Sequence, residues 1–197
     1  MVEHEKRRRG ILEKALDVFT EEGFERATFQ KIASRCGFTR TTLYSYFRNK
    51  QEIFFYSIKQ MPGKVEEDIL AIRRDQGLRA ADRIIKVILT IIERLEEYRR
   101  LLSVVLDYLL YLPQSEAAPD VRIRRRTVRL RHFLATMVIE GIRAGEIIPL
   151  DIRAADELLY GLIEAAIYRL AVLRREAVPE LKQTIPLVVR QLCTGKS

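Results

Sequence analysis

Residues 26–50, RATFQKIASRCGFTRTTLYSYFRNK, contain Arg26, Lys31, Arg35, Arg40, Arg48 and Lys50 and no Asp or Glu. Acids are otherwise frequent, 27 in 197 residues, and Glu13, Asp17, Glu21, Glu22 and Glu25 immediately precede this stretch. The same stretch restricts the fold. Thr28 is placed to cap a short helix running to about Arg35, with Ile32 and Ala33 facing inward and Cys36-Gly37 closing it. Thr39 then caps a second short helix, roughly Arg40 to Phe47, because a threonine hydroxyl accepts from an orphan N–H of a first helical turn. Leu43 and Phe47, four apart, face a core. Two short helices joined by a tight glycine turn make a helix-turn-helix unit.

The flanks are helical as well. Ile11, Leu12, Ala15, Leu16, Val18 and Phe19 recur at spacings of three and four between Arg7 and Phe24, the period of a helix with one buried face. Gly23 ends that helix. Asn49 and Glu52 form a variant capping box that starts a helix over about 50–60, and Met61-Pro62-Gly63 should end or kink it. Further helices are expected at about 64–75, 79–97, 99–111, 120–144, 152–175 and 179–193, punctuated by Pro113, Pro119, Pro149 and Pro179. Pro186 should kink the last of these or make it restart at Thr184. No run alternates with period two, so no strand is expected. The expected fold is all-α, with one domain over 1–50, a connecting helix over about 50–60, and a second domain over 61–197.

Composition narrows the function. A formal charge of +8 favours polyanions, nucleic acid or acidic lipid. Cys36 and Cys193 are too far apart in sequence to suggest a disulfide framework or a metal site, and read as reduced thiols of a cytoplasmic protein. The N-terminus is charged and lacks the apolar core of a signal peptide. Charges break every apolar run before a membrane span's length, so no membrane is expected. His4 and His132 are the only histidines, and there is no glycine-rich phosphate loop or Ser/His/Asp set. An enzyme, a cofactor and a metal are therefore not expected. A basic helical protein without sequence preference remains an alternative. It would bind any polyanion equally, whereas a specific regulator prefers one palindrome by ~10³ or more.

A DNA-facing surface avoids carboxylates, since each repels phosphate and forfeits counterion release. Thr39, Arg40, Thr41, Thr42, Tyr44, Ser45 and Tyr46 carry hydroxyls and a guanidinium, groups that reach phosphates and base edges in a major groove. Tyr44 and Tyr46 have a packing reading too. Lys50 falls in a first helical turn, where the dipole disfavours a cation by ~0.3–1 kcal/mol. An anion bound nearby would explain it, as would a flexible lysine pointing away.

The stretch from Thr28 to Phe54 resembles the TetR/AcrR family signature, in Gly37, Thr42-Leu43-Tyr44, Tyr46-Phe47 and Lys50, after an N-terminal helix ending in Gly23-Phe24. The resemblance covers about the first quarter of the chain. It implies a recognition helix from Arg40 to Phe47, with Arg40, Thr41 and Tyr44 where the family contacts bases and Thr28, Tyr44, Tyr46 and Lys50 where it contacts phosphates. It also implies that residues 61–197 bind a ligand and dimerise, and that the chain is a regulator, most often a repressor, released from a palindromic operator by a small, largely apolar effector. Cys36 departs from a common alanine, and Pro62-Gly63 interrupts a helix that often runs longer.

The segment Asp151 to Arg175 is apolar almost all round, through Leu158, Leu159, Leu162, Ile163, Ala166, Ile167, Leu170 and Leu173. Such a helix must bury more than one face. A two-fold copy would bury it in a four-helix bundle with the final helix, using Leu158, Leu162, Ala165, Ala166, Val188 and Leu192, with Gly161 allowing close approach. A central helix in a monomer is the alternative. Tyr160, Glu164 and Tyr168, spaced by four, are compatible with a ligand wall or a solvated edge. Arg122, Arg125 and Arg129 read as solvated. Arg126 shares a flank with Leu130, Phe133 and Met137 and could meet the anionic end of an amphipathic ligand such as an acyl thioester, or snorkel to solvent. Tyr108, Tyr111 and Phe133 are further pocket candidates, with core packing as the default reading for each.

Overall fold

The computed structural model describes residues 2–60, 62–75, 77–111 and 118–195. The helices are α1 (Val2–Arg26), α2 (Phe29–Cys36), α3 (Arg40–Tyr44), α4 (Lys50–Gln60), α5 (Pro62–Arg74), α6 (Ala80–Glu97), α7 (Arg99–Tyr111), α8 (Ala118–Arg143), α9 (Ile152–Ile167) and α10 (Pro179–Arg190), with a π-helical turn at Tyr168–Val172. The fold is all-α; the described residues contain one isolated bridge, Ile147 with Cys193. Among them no helix is long and apolar enough to cross a membrane.

The chain divides into two compact units: Met1–Lys64 with Val104–Tyr108, and Val65–Ser103 with Leu109–Ser197. Helix α4, expected as a connection, therefore belongs to the first unit. The reason is burial: Ile53 and Phe54 are fully enclosed, and the Ser57 hydroxyl, itself buried, donates to the Leu12 carbonyl of α1 at 3.0 Å.

In the first unit α1 packs on α2 and α4. Its inward stripe, Ile11, Leu12, Ala15, Val18 and Phe19, is buried against Ile32, Ala33, Leu43 and Phe47. The helical path breaks at Gly23, φ 80° and ψ 166°, a conformation open to glycine and hardly to other residues. The break folds Phe24 back into a ring cluster with Phe19, Phe54, Phe55 and Tyr108. Gly37 caps α2 in the left-handed region, φ 74° and ψ 26°. That sharp reversal lets α3 start three residues later, at Arg40.

α3 is shorter than predicted. The Ser45 hydroxyl bonds the Thr42 carbonyl at 2.6 Å, and the Ser45 and Tyr46 amides turn to the carbonyls three residues back. Local side-chain bonding of this kind ends a helix by offering the backbone another partner. Asn49 caps α4 as expected: its Oδ1 accepts the Glu52 amide at 2.7 Å, while the Glu52 carboxylate accepts the Arg48 amide at 2.6 Å.

In the second unit Ile84, Ile88 and Ile92 of α6 are fully buried with Leu134 and Val138 of α8, Leu159 and Ala166 of α9, and Ile185 and Val189 of α10. At Gly141 a Cβ would lie 2.8 Å from that of Ala80 and 2.5 Å from Ile147 Cδ1, so only glycine allows this approach of α8 to α6. Polar ties fix the register. Arg131 reaches Asp156 at 2.8 Å and Glu157 at 2.7 Å, and Glu96 accepts from the Val178 amide at 2.9 Å and Lys182 at 2.8 Å. α4 ends at Gln60, as the proline step was expected to make it, and Pro62 opens α5, where its missing N–H would be unpaired anyway. Pro186 lies within α10, which neither stops nor restarts at Thr184. The predicted helix 152–175 is α-helical to Ile167, widens into the π turn, and stops near Arg174, φ 52°.

Candidate nucleic-acid interface

The exposed edge of the first unit is built on two caps. Thr28 Oγ1 accepts the Lys31 amide at 3.2 Å, and Thr39 Oγ1 accepts the Thr42 amide at 3.1 Å and lies 2.8 Å from the Thr42 hydroxyl. Leu43 anchors α3 from beneath, fully buried. Arg40, Thr41 and Tyr44 are left on the exposed side. Tyr44, 49% exposed, stacks on Phe29 at 4.5 Å between ring centres and receives a hydrogen bond from Arg40 at 3.2 Å. The structure thus joins both readings of Tyr44: one ring face packs, and the hydroxyl stands outward with a guanidinium beside it.

Tyr46 and Lys50 are held differently. Tyr46 is half-buried and stacks on His4 of α1 at 4.6 Å. The Lys50 ammonium donates to the Phe24 carbonyl at 2.8 Å and the Glu25 carbonyl at 3.3 Å, and lies 4.3 Å from the centre of the Phe24 ring. Burial lowers its pKa from the usual lysine range, opposed by Glu25. A lysine in the first turn of α4 therefore has partners within the protein, carbonyls freed where Gly23 breaks α1.

The cations of the acid-free stretch are not equally available. Arg35 is gripped by Glu21 through two bonds, at 3.0 and 2.6 Å, and Lys31 meets Glu22 at 2.5 Å. The Arg35 pairing raises the guanidinium pKa and lowers that of Glu21. Acids absent from the stretch are thus supplied by the end of α1. Sequence reasoning passed over His4, which stacks on Tyr46, Arg8, which lies over the Phe47 ring, and Arg7, whose guanidinium pKa is raised by Tyr46 and Glu3. The visible signal was the run Lys6-Arg7-Arg8-Arg9.

The model of bacterial regulatory proteins of the tetR family matches residues 11–56, spanning the buried stripe of α1, the helix-turn-helix and the start of α4. The chain is a TetR/AcrR-family transcriptional regulator. It is 28% identical over 173 residues to the fatty acid metabolism regulator protein of Bacillus subtilis, covering 80% of this chain and 79% of that one. Among solved structures it is similar to the transcriptional regulator FadR from Bacillus subtilis in complex with stearoyl-CoA, at 25% identity, TM-score 0.70, and 91% and 95% coverage. It is also similar to MexZ, a repressor from Pseudomonas aeruginosa, at 22% identity, TM-score 0.74, and 98% and 97% coverage. Members of this family are ligand-responsive, DNA-binding regulators of transcription, and so is this chain.

The second unit does not gather the expected ligand residues into one place. Tyr108 belongs to the first unit, its ring 4.4 Å from Phe24 and 5.0 Å from Phe54. Met137 is buried in the core, and Phe133 packs against that core with the Arg73 guanidinium 5.5 Å from its ring centre. Tyr160 is buried, but Glu164 and Tyr168 face outward, so spacing by four does not put all three on one wall. The side chains of Arg126 and Tyr111 lie outside the described residues. An open cleft of about 440 Å³ runs between α5 and α6, lined by polar groups including Asp68, Lys86, Glu93 and Arg94, none of them an expected ligand residue.

Of the expected interface residues, Leu158 is exposed and Leu162, Ala165, Val188 and Leu192 are half-buried. Ala166 is fully enclosed in its own core and offers nothing to a partner. The exposed stripe of α9 instead continues from Leu158, Leu162 and Ala165 to Tyr168, 55% exposed, and Val172, 55% exposed, with Leu187 of α10 at 68%. Open space lies beside Gly161.

Proposed function

We propose that this regulator is a repressor that binds a palindromic operator as a homodimer and is released by an amphipathic acyl thioester. The observation that carries the reading is the exposed edge of α3. Arg40, Thr41 and Tyr44 stand together there, with no carboxylate beside them on that helix. Of these Arg40 is the base reader, since a guanidinium can hold guanine O6 and N7 together. Thr28, Thr39, Thr42 and Tyr46 border the edge and serve phosphates. Lys50 acts at one remove, by fixing the end of α1 against α4.

Two-fold pairing through the stripe on α9 and α10 supplies the second half-site reader. Both recognition helices must then stand about one duplex turn apart, roughly 34–36 Å. The likeness to a regulator solved with stearoyl-CoA supports the effector class, and Arg126 is the proposed partner for the effector's anionic end. Effector that fits only a state with another spacing lowers DNA affinity by its differential affinity, ~1–3 kcal/mol or roughly 5–150-fold.

The test selects operators from a random pool, then titrates the preformed complex with long-chain acyl-CoA. Selection should return one palindrome, and Arg40→Ala should relax preference at one base pair per half-site and cost ~1–3 kcal/mol. Release should require the acyl chain and weaken in Arg126→Ala. A pool that returns no preferred sequence sinks the repressor reading. Binding of acyl-CoA without release removes it as effector.

A further inference from the structure

The first two turns of α1 touch the helix-turn-helix through side chains that the apolar core does not require. His4 lies flat on Tyr46, 4.6 Å between ring centres and 22° between planes. Arg8 holds its guanidinium 4.9 Å from the centre of the Phe47 ring and 4.2 Å from that of Tyr56. Arg7, one helical turn from His4 and so on the same side of α1, meets Glu3 at 3.3 Å, and Tyr46 and Glu3 together raise its guanidinium pKa. The flanking ring contacts fix the rotation of the helix about its axis, and with it the side on which Arg7 emerges.

The neighbouring cations do not share this position. At about 100° per residue, Lys6 and Arg9 lie roughly 140–200° around α1 from His4, away from Tyr46. The positive run at 6–9 thus resolves into one ring-held arginine, Arg8, one arginine on the side of α1 whose His4 stacks on Tyr46, and two cations on the far side. The Arg7–Glu3 pair is largely solvent-exposed at both partners, and an exposed ion pair is weak and readily exchanged. A phosphate offers the guanidinium more charge and a bidentate acceptor.

We propose that Arg7 is a phosphate-binding residue of the DNA interface. Its guanidinium and the Tyr46 hydroxyl take one backbone phosphate together, and Glu3 occupies the guanidinium until DNA displaces it. The assignment rests on DNA binding through α3 and adds α1 to that surface as a contact that holds position without reading sequence.

The experiment measures salt-dependent binding of the selected operator and of a scrambled duplex by wild type, Arg7→Ala, Arg7→Lys and Glu3→Gln, with thermal unfolding of each as a control. Arg7→Ala should weaken both duplexes by the same factor and reduce the slope of log K against log salt by about 0.9. Arg7→Lys should keep the slope, and Glu3→Gln should tighten both duplexes. An unchanged slope in folded Arg7→Ala overturns the assignment, as does a loss confined to one sequence or a Glu3→Gln variant that binds no tighter. A wild type that binds no duplex overturns the DNA-binding reading beneath it, so the two failures are distinct.

Discussion

Helices α3 and α9 each keep a face exposed, and the two faces are made of opposite chemistry. On α3 the exposed residues are Arg40, Thr41, Thr42 and Tyr44; on α9 and its π turn they include Leu158, Tyr168 and Val172. A polar face that reads DNA needs particular donors at particular spacings, because base edges present a fixed pattern. An apolar face that pairs with another protein surface needs only shape and area, and many side chains of suitable size satisfy it. The first kind of face leaves a motif in the sequence. The second leaves a period.

The apolar face yields the largest expected effect. Val172 and Leu187 are exposed in the protomer, so Val172→Arg with Leu187→Arg should leave its core intact while placing charge in the proposed dimer interface. Sedimentation should show monomers with unchanged helicity. Operator affinity should fall by roughly 10²–10⁴, the gain that a linked second half-site ordinarily provides. A variant that remains dimeric would move the interface elsewhere. A wild type that is already monomeric at micromolar concentration would remove it.

Lys50 tests whether a motif residue serves DNA or the fold. Its ammonium is engaged with the Phe24 and Glu25 carbonyls, and hydrogen bonds to a charged group contribute about 1.5–3 kcal/mol. Partial exposure reduces that, so Lys50→Met should destabilise the protein by about 1–2 kcal/mol, read from the denaturant midpoint at constant m. The slope of operator affinity against salt should barely change. A slope reduced by about one with stability untouched would return Lys50 to the phosphates.

This contrast explains how much of the molecule was legible. The helix-turn-helix could be read because its caps and turn are local: Thr28, Gly37, Thr39 and Asn49 act within three or four residues of themselves. The helices of the second unit could be read because apolar spacing reports a buried face. What the sequence withheld were contacts between distant segments. Nothing near Tyr108 announces that its ring joins Phe24 and Phe54, and nothing around Ala166 tells a buried face of α9 from an exposed one. The π turn had the same effect on Tyr168. The last turn of a long apolar helix reads as a continuation, but where its backbone widens Tyr168 and Val172 stand exposed while Leu170 and Ala171 stay buried.

The smallest expected effect concerns the acid-free stretch, the feature that first pointed to DNA. If all its cations contributed alike, removing any one would lower the salt slope equally. The structure divides them. Arg35 is held by Glu21 and Lys31 by Glu22, each pair contributing little net charge, whereas Arg40 has the neutral Tyr44 hydroxyl as its partner. Glu21 grips Arg35 through two bonds, whereas Glu3 meets Arg7 through one at 3.3 Å, so Arg35 stays paired and neutralises no phosphate. Arg35→Ala should therefore leave the salt slope unchanged and operator affinity within about twofold of wild type. In Glu21→Gln, with the restraining carboxylate gone, Arg35 is released and both duplexes should bind slightly tighter. If Arg35→Ala instead lowers the slope by about one, Arg35 reaches phosphate despite Glu21, and the availability of each cation is set by the duplex rather than by its partners in the free protein.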